Sequence, residues 1–98
     1  MKVRFRTKKL EASFEDDNLA RREWGNEVGQ AYVDRIPVLM AVPDIEHLRG
    51  WPRLHFHELK GSRVGQYVIR LSGRVRLVFS YDAEQDEILI LGVEDYHE

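Results

Sequence analysis

Apolar and polar positions alternate at the start of the chain. Val3 and Phe5 stand among Lys2, Arg4 and Arg6, which predicts a short strand with one buried face. Leu10 and Phe14 then fall four apart behind Thr7, the pattern of a short helix with Thr7 as its N-cap. Asp16-Asp17-Asn18 breaks this helix or caps another. From Trp24 onward, Val28, Ala31, Tyr32, Ile36, Leu39 and Met40 recur at helical spacing and form one apolar stripe. Gly25 and Gly29 weaken that helix, and Pro37 kinks it or opens its last segment. Pro43-Asp44 ends it, with Asp44 placed to cap a short turn through Leu48, and Gly50-Trp51-Pro52 reads as loop.

The second half changes period. Leu54–Leu59, Gln66–Leu71, Arg74–Tyr81 and Glu87–Val93 read as strands, joined by turns at Gly61–Gly65, Gly73 and Asp82–Asp86. Helices early and strands late predict an α+β fold, a mainly antiparallel sheet with helices on one face. A three-residue loop Ser72-Gly73-Arg74 sets Leu71 opposite Val75, Ile69 opposite Leu77 and Tyr67 opposite Phe79, so that one face is apolar throughout. The same register sets Arg70 opposite Arg76. Like charges directly opposite are destabilising. Either a nearby carboxylate offsets them or the site is built for an anion.

At 98 residues the chain holds one domain, 1–98, with no repeat or linker. It has no cysteine, which excludes disulfides and thiolate chemistry. Its longest apolar runs, Ile36–Val42 and Ile88–Val93, fall far short of the roughly 20 residues of a membrane helix. No membrane association and a cytoplasmic location are therefore the expectation. The net charge of −2 hides opposed blocks. Residues 1–10 carry five positive charges and no negative ones, and residues 49–81 carry seven positive against one negative. Residues 11–48 and 82–98 are acidic. The blocks point to one basic surface, although pairing within the domain would account for them too.

Three groups of residues carry potential chemistry: His55-Phe56-His57-Glu58-Leu59-Lys60-Gly61, the arginines Arg70, Arg74 and Arg76, and the end Glu94-Asp95-Tyr96-His97-Glu98. On a strand, His55 and His57 point the same way. RNA cleavage needs a base for the 2′-hydroxyl proton, an acid for the departing 5′-oxygen and a cation for the phosphate. His57, Lys60, Arg76, Tyr96 and His97 supply these types without a metal or other cofactor. His55 and His57 with His97 or Asp95 could instead ligate a metal, a reading disfavoured by the surrounding cations. Trp24 and Tyr32 read as core, His47 as structural, and Trp51 as open to a partner.

His57-Glu58-Leu59-Lys60-Gly61, then Gly65-Gln66, Arg76-Leu77-Val78-Phe79 and Glu94-Asp95-Tyr96-His97 resemble the signature of HigB-type toxins of the RelE/ParE superfamily, as does the opening Arg4-Phe5-Arg6-Thr7-Lys8-Lys9-Leu10. The resemblance covers nearly the whole chain. It implies a microbial-RNase-like α+β fold, with a short N-terminal strand and two helices packed on a curved sheet. The implied activity is endonucleolytic cleavage of mRNA, commonly in the ribosomal A site. The implied partners are the ribosome and an antitoxin, often a HigA-like helix-turn-helix protein through which the complex contacts operator DNA. Carried over by position, the implied active-site residues are His57, Lys60, Arg76, Asp95, Tyr96 and His97. His97 would be the base, oriented by Asp95, with His57 as alternative base or as acid. Lys60 and Arg76 would stabilise the phosphorane-like transition state and Tyr96 would stack on or hydrogen-bond the substrate. Arg70, Arg74 and Arg63 would add attraction for RNA phosphate. The alternative is a non-enzymatic toxin of the same fold that inhibits a protein such as gyrase, as ParE relatives do.

Overall fold

The computed structural model describes residues 1–95. The chain runs β1 (Lys2–Phe5), α1 (Lys8–Glu15), α2 (Asp17–Trp24), α3 (Asn26–Ala41), β2 (His57–Glu58), β3 (Gln66–Ser72), β4 (Val75–Asp82) and β5 (Glu87–Asp95). Short 3₁₀ turns fill Ile45–Gly50, Pro52–Leu54 and Gly61–Arg63. The five strands form one sheet in the order β1-β5-β4-β3-β2. β1 lies parallel to β5 and every other pair is antiparallel.

Local chemistry sets the helix starts. The Thr7 side chain accepts from the Leu10 N–H at 3.1 Å, and that of Asp16 accepts from the Asn18 N–H at 2.9 Å. The described residues hold three α-helices rather than the expected two. The single stripe from Trp24 to Met40 is broken at Gly25, whose φ of 87° and ψ of 167° suit glycine alone and turn the chain between α2 and α3. Helix α3 continues through Pro37 to Ala41. Gly29 is where α2 and α3 touch: a Cβ there would lie 2.6 Å from the backbone N and Cα of Arg21. It is a contact residue rather than a weak point.

The core lies between the helices and one sheet face. Tyr32, Ile36 and Leu39 of α3 pack with Ile69, Leu77, Phe79, Ile88 and Ile90, all fully buried. On the other face Leu59, Val68 and Val78 form a smaller buried cluster with Leu91 against it. Burial on both faces explains the near-continuous apolar runs of β4 and β5. A bulge in β5 helps, because Val78 pairs with Gly92 and Phe79 with Ile90, leaving Leu91 as the extra residue.

The β3–β4 register holds Tyr67 opposite Phe79, Ile69 opposite Leu77 and Arg70 opposite Arg76, as the alternation predicts. The loop differs. Ser72, not Leu71, pairs with Val75, so the turn is the two residues Gly73-Arg74 and Leu71 is bulged. Gly73, with φ of 55°, suits that tighter turn.

Candidate active site on the open sheet face

The face turned away from the helices gathers the basic block. Directly opposed residues share a face. His57 opposes Val68, Val68 opposes Val78, and Val78 opposes Gly92. In the neighbouring row Arg70 opposes Arg76 and Arg76 opposes Glu94. His57, Arg70, Arg76 and Glu94 therefore stand on one surface.

The expected strand over 54–59 is only two residues long. Pro52–Leu54 is a 3₁₀ turn, and His55 takes a left-handed conformation with φ of 49°. His55 and His57 are thus not successive residues of one strand face. His55 acts through its backbone instead: the His57 ring Nδ1 lies 2.9 Å from its carbonyl. A carbonyl only accepts, so Nδ1 carries a proton in this contact, and whenever the ring is neutral its lone pair is on Nε2, the form a general base requires.

Arg76 is nine-tenths buried, which is rare for an arginine. Its Nη1 donates to the Gly73 carbonyl at 2.6 Å, and Arg70 Nε donates to the same carbonyl at 3.1 Å. The hairpin turn thus anchors both guanidinium groups. Arg76 Nε is shut off from solvent with no acceptor among the described residues.

The carboxylate that faces Arg76 in the ladder is committed elsewhere. Glu94 takes two hydrogen bonds from Arg63, at 2.9 and 2.7 Å, in a bidentate pair. Arg63 Nε also donates to Gln66 Oε1 at 2.9 Å. Gln66 is on β3 and Glu94 on β5, so the Arg63 side chain reaches across β4. Hydrogen bonds from Arg63 hold the Glu94 carboxyl below the ordinary glutamate range despite partial burial, and the charges of Arg63 and Arg6 add to this.

Arg6 is the residue that sequence reasoning missed. Its N–H donates to the Ile90 carbonyl at 2.9 Å, extending the β1–β5 pairing. Its guanidinium lies 3.9 Å from where a Cβ on Gly92 would stand. The signal was present only as a cation beyond a short strand, and its neighbours are more than eighty positions away in sequence.

The remaining candidates are dispersed. Lys60 is exposed and opens the turn at Gly61–Arg63. Arg74, at the hairpin tip, lies 3.6 Å from Asp95. Asp95 opposes Val75, which shares its face with Leu77, so it stands on the helix side of the sheet, away from Glu94. Tyr96 and His97 lie outside the described residues. Among the described residues no three His, Cys, Asp or Glu side chains form a metal-holding group, and no helix is long and apolar enough to cross a membrane.

Residues 3–97 match the family model of the RelE-like toxin HigB of type II toxin-antitoxin systems. The chain belongs to the HigB-like toxin family. Solved structures agree on the fold of this toxin. The YoeB-YefM complex from Staphylococcus aureus gives a TM-score of 0.61 at 15% identity, covering 100% of this chain and 98% of that one. The YoeB/ParE toxin from Agrobacterium tumefaciens gives 0.59 at 14% identity, covering 99% and 100%. The RelBE2 toxin-antitoxin complex from Mycobacterium tuberculosis gives 0.52 at 20% identity, covering 95% and 94%. At these identities the likeness establishes the RelE/YoeB-type, microbial-RNase-like fold. No curated protein sequence matches the toxin.

Proposed function

We propose that this toxin is a metal-independent endoribonuclease that cuts mRNA in the ribosomal A site and is neutralised in the cytoplasm by a HigA-like, helix-turn-helix antitoxin. The observation that carries the reading is the arginine cluster on the open face. Arg76 is buried with its Nε lacking an acceptor among the described residues, Arg70 shares its anchor, and Arg63 and Arg6 flank the Glu94 carboxylate. A stability-driven sheet does not gather like charges in this way, whereas a phosphate pairs with them.

In this reading the substrate's 2′-oxygen attacks the adjacent phosphorus as a base removes its proton. The bond from phosphorus to the 5′-oxygen breaks, and an acid protonates the leaving oxygen. The products are a 2′,3′-cyclic phosphate and a 5′-hydroxyl. His57 and His97 divide the base and acid roles, and Asp95, on the helix side of the sheet, is left out of them. Arg76 and Lys60 stabilise the transition state, Tyr96 stacks on the base, and Arg63, Arg70 and Arg74 attract the flanking phosphates. The fixed tautomer of His57 suits it to accept a proton at Nε2.

The test is incubation with a defined mRNA in EDTA, with and without programmed ribosomes, mapped by primer extension. Cuts that need ribosomes are expected. Cuts on naked RNA would keep the nuclease and discard the ribosome. No cuts in either, from protein that still arrests growth, would favour inhibition of a protein target in the manner of ParE.

A further inference from the structure

On the helix side of the molecule, away from the arginine cluster, Arg35 and Val38 of α3 and residues Gly50–Leu54 wall a groove of about 380 Å³. That volume suits one bulky side chain and its neighbour rather than a buried core. Trp51 stands in it with 47% of its surface exposed. Its backbone is fixed on both sides, since its N–H donates to the Leu48 carbonyl at 3.3 Å and its own carbonyl accepts from the Leu54 N–H at 3.0 Å. The indole is therefore presented by a braced segment, so little ordering is needed on binding.

Charge selects the occupant. Two arginines, Arg35 and Arg53, line the groove, and among the described residues no carboxylate does. Arg35 Nε is closed off from water without an acceptor among the described residues. The two guanidinium groups along the groove favour an arriving carboxylate. The rest of the lining, Val38, Pro52 and Leu54, offers a phosphate chain nothing and an apolar side chain a great deal.

We propose that this groove is the docking point for a segment of the antitoxin that carries a bulky apolar side chain beside an acidic one. The apolar side chain packs on Trp51, Pro52 and Leu54, and the carboxylate pairs with Arg35 and Arg53. The inference rests on the antitoxin partnership proposed above and adds where the contact is made. Antitoxin and RNA then occupy opposite sides of the sheet.

Full-length toxin and its adjacent-encoded antitoxin are titrated by calorimetry, using wild type, Trp51→Ala and Arg35→Gln. Loss of a central aromatic anchor should weaken binding about thirtyfold for Trp51→Ala. Arg35→Gln should weaken it about tenfold and flatten its salt dependence. Circular dichroism confirms that both variants fold, and Trp51→Ala should cleave RNA at the wild-type rate. Wild-type affinity in both variants would overturn the groove assignment alone. Loss of RNA cleavage with wild-type antitoxin affinity in Trp51→Ala would transfer the groove to RNA. Absence of binding by wild type would remove the antitoxin partnership and the groove assignment together.

Discussion

Gly29→Ala sets two effects of known size against each other. In an isolated helix alanine is favoured over glycine by about 1 kcal/mol. In this protein the added Cβ meets Arg21 Cα and N at 2.6 Å and the Ala20 carbonyl carbon at 2.7 Å. Ordinary contact begins near 3.4 Å, so α2 must retreat by roughly 0.7–0.8 Å along its packed length. The obstacles are backbone atoms, which no rotamer change can move aside. Overpacking of this kind costs about 1–3 kcal/mol, and rigid neighbours put the cost at the upper end. The net result should be a loss of about 2 kcal/mol, a fall in Tm of about 8–16 °C for a domain of this size. Gly50→Ala is the control, because a Cβ there meets nothing within 4 Å and its φ is not positive. It should change stability by no more than about 0.5 kcal/mol. Urea and thermal unfolding followed by far-UV circular dichroism read both. A Gly29→Ala protein as stable as wild type, or more so, would refute the claim that α2 and α3 are locked at this point.

Tyr32 donates from its buried hydroxyl to the Leu10 carbonyl at 2.7 Å, so Tyr32→Phe should cost about 1 kcal/mol in urea unfolding. Burial also pushes the Tyr32 phenol up, so wild type should lose stability as pH rises past about 10, where the unfolded phenol ionises, and the variant should lack that component. Glu94 has its pKa lowered by Arg63, so the pair stabilises the fold at neutral pH and that contribution disappears as pH falls through the depressed value. The stability gap between wild type and Arg63→Gln should therefore be constant above about pH 5 and close toward acid, as measured by unfolding across pH. His97→Ala or Lys60→Ala should relieve growth arrest while leaving folding and antitoxin binding intact, and full toxicity in both would discard their catalytic roles.

Local rules were legible wherever one residue type or one period decided the outcome. Thr7, Asp16 and Asp44 cap as their side chains allow, and the alternation from Tyr67 to Phe79 fixed the β3–β4 pairing, including Arg70 opposite Arg76. The reading failed where a backbone conformation interrupts a pattern that the side chains continue. The stripe through Trp24 and Val28 runs unbroken across Gly25, yet the chain turns there. Leu54, Phe56 and Leu59 are all buried, but left-handed His55 prevents a strand from joining them. At the hairpin, Leu71 keeps its inward position by bulging, which shortened the loop by one residue.

The amino-acid sequence by itself determined the element types, the inward faces of the long strands and the concentration of cations in residues 49–81. These are set by periodicity, caps and charge within a few positions of each other. Only the tertiary structure decided which cations meet. Parallel pairing of β1 with β5 carries Arg6 to Gly92 and Glu94, and a 3₁₀ turn swings Arg63 across β4 to claim the Glu94 carboxylate. The same pairing across the hairpin buries Arg76, whose Nε has no acceptor among the described residues. Such meetings depend on strand order and register over the whole sheet, which no local pattern encodes, because the free energy that selects them is shared among all the contacts of the core.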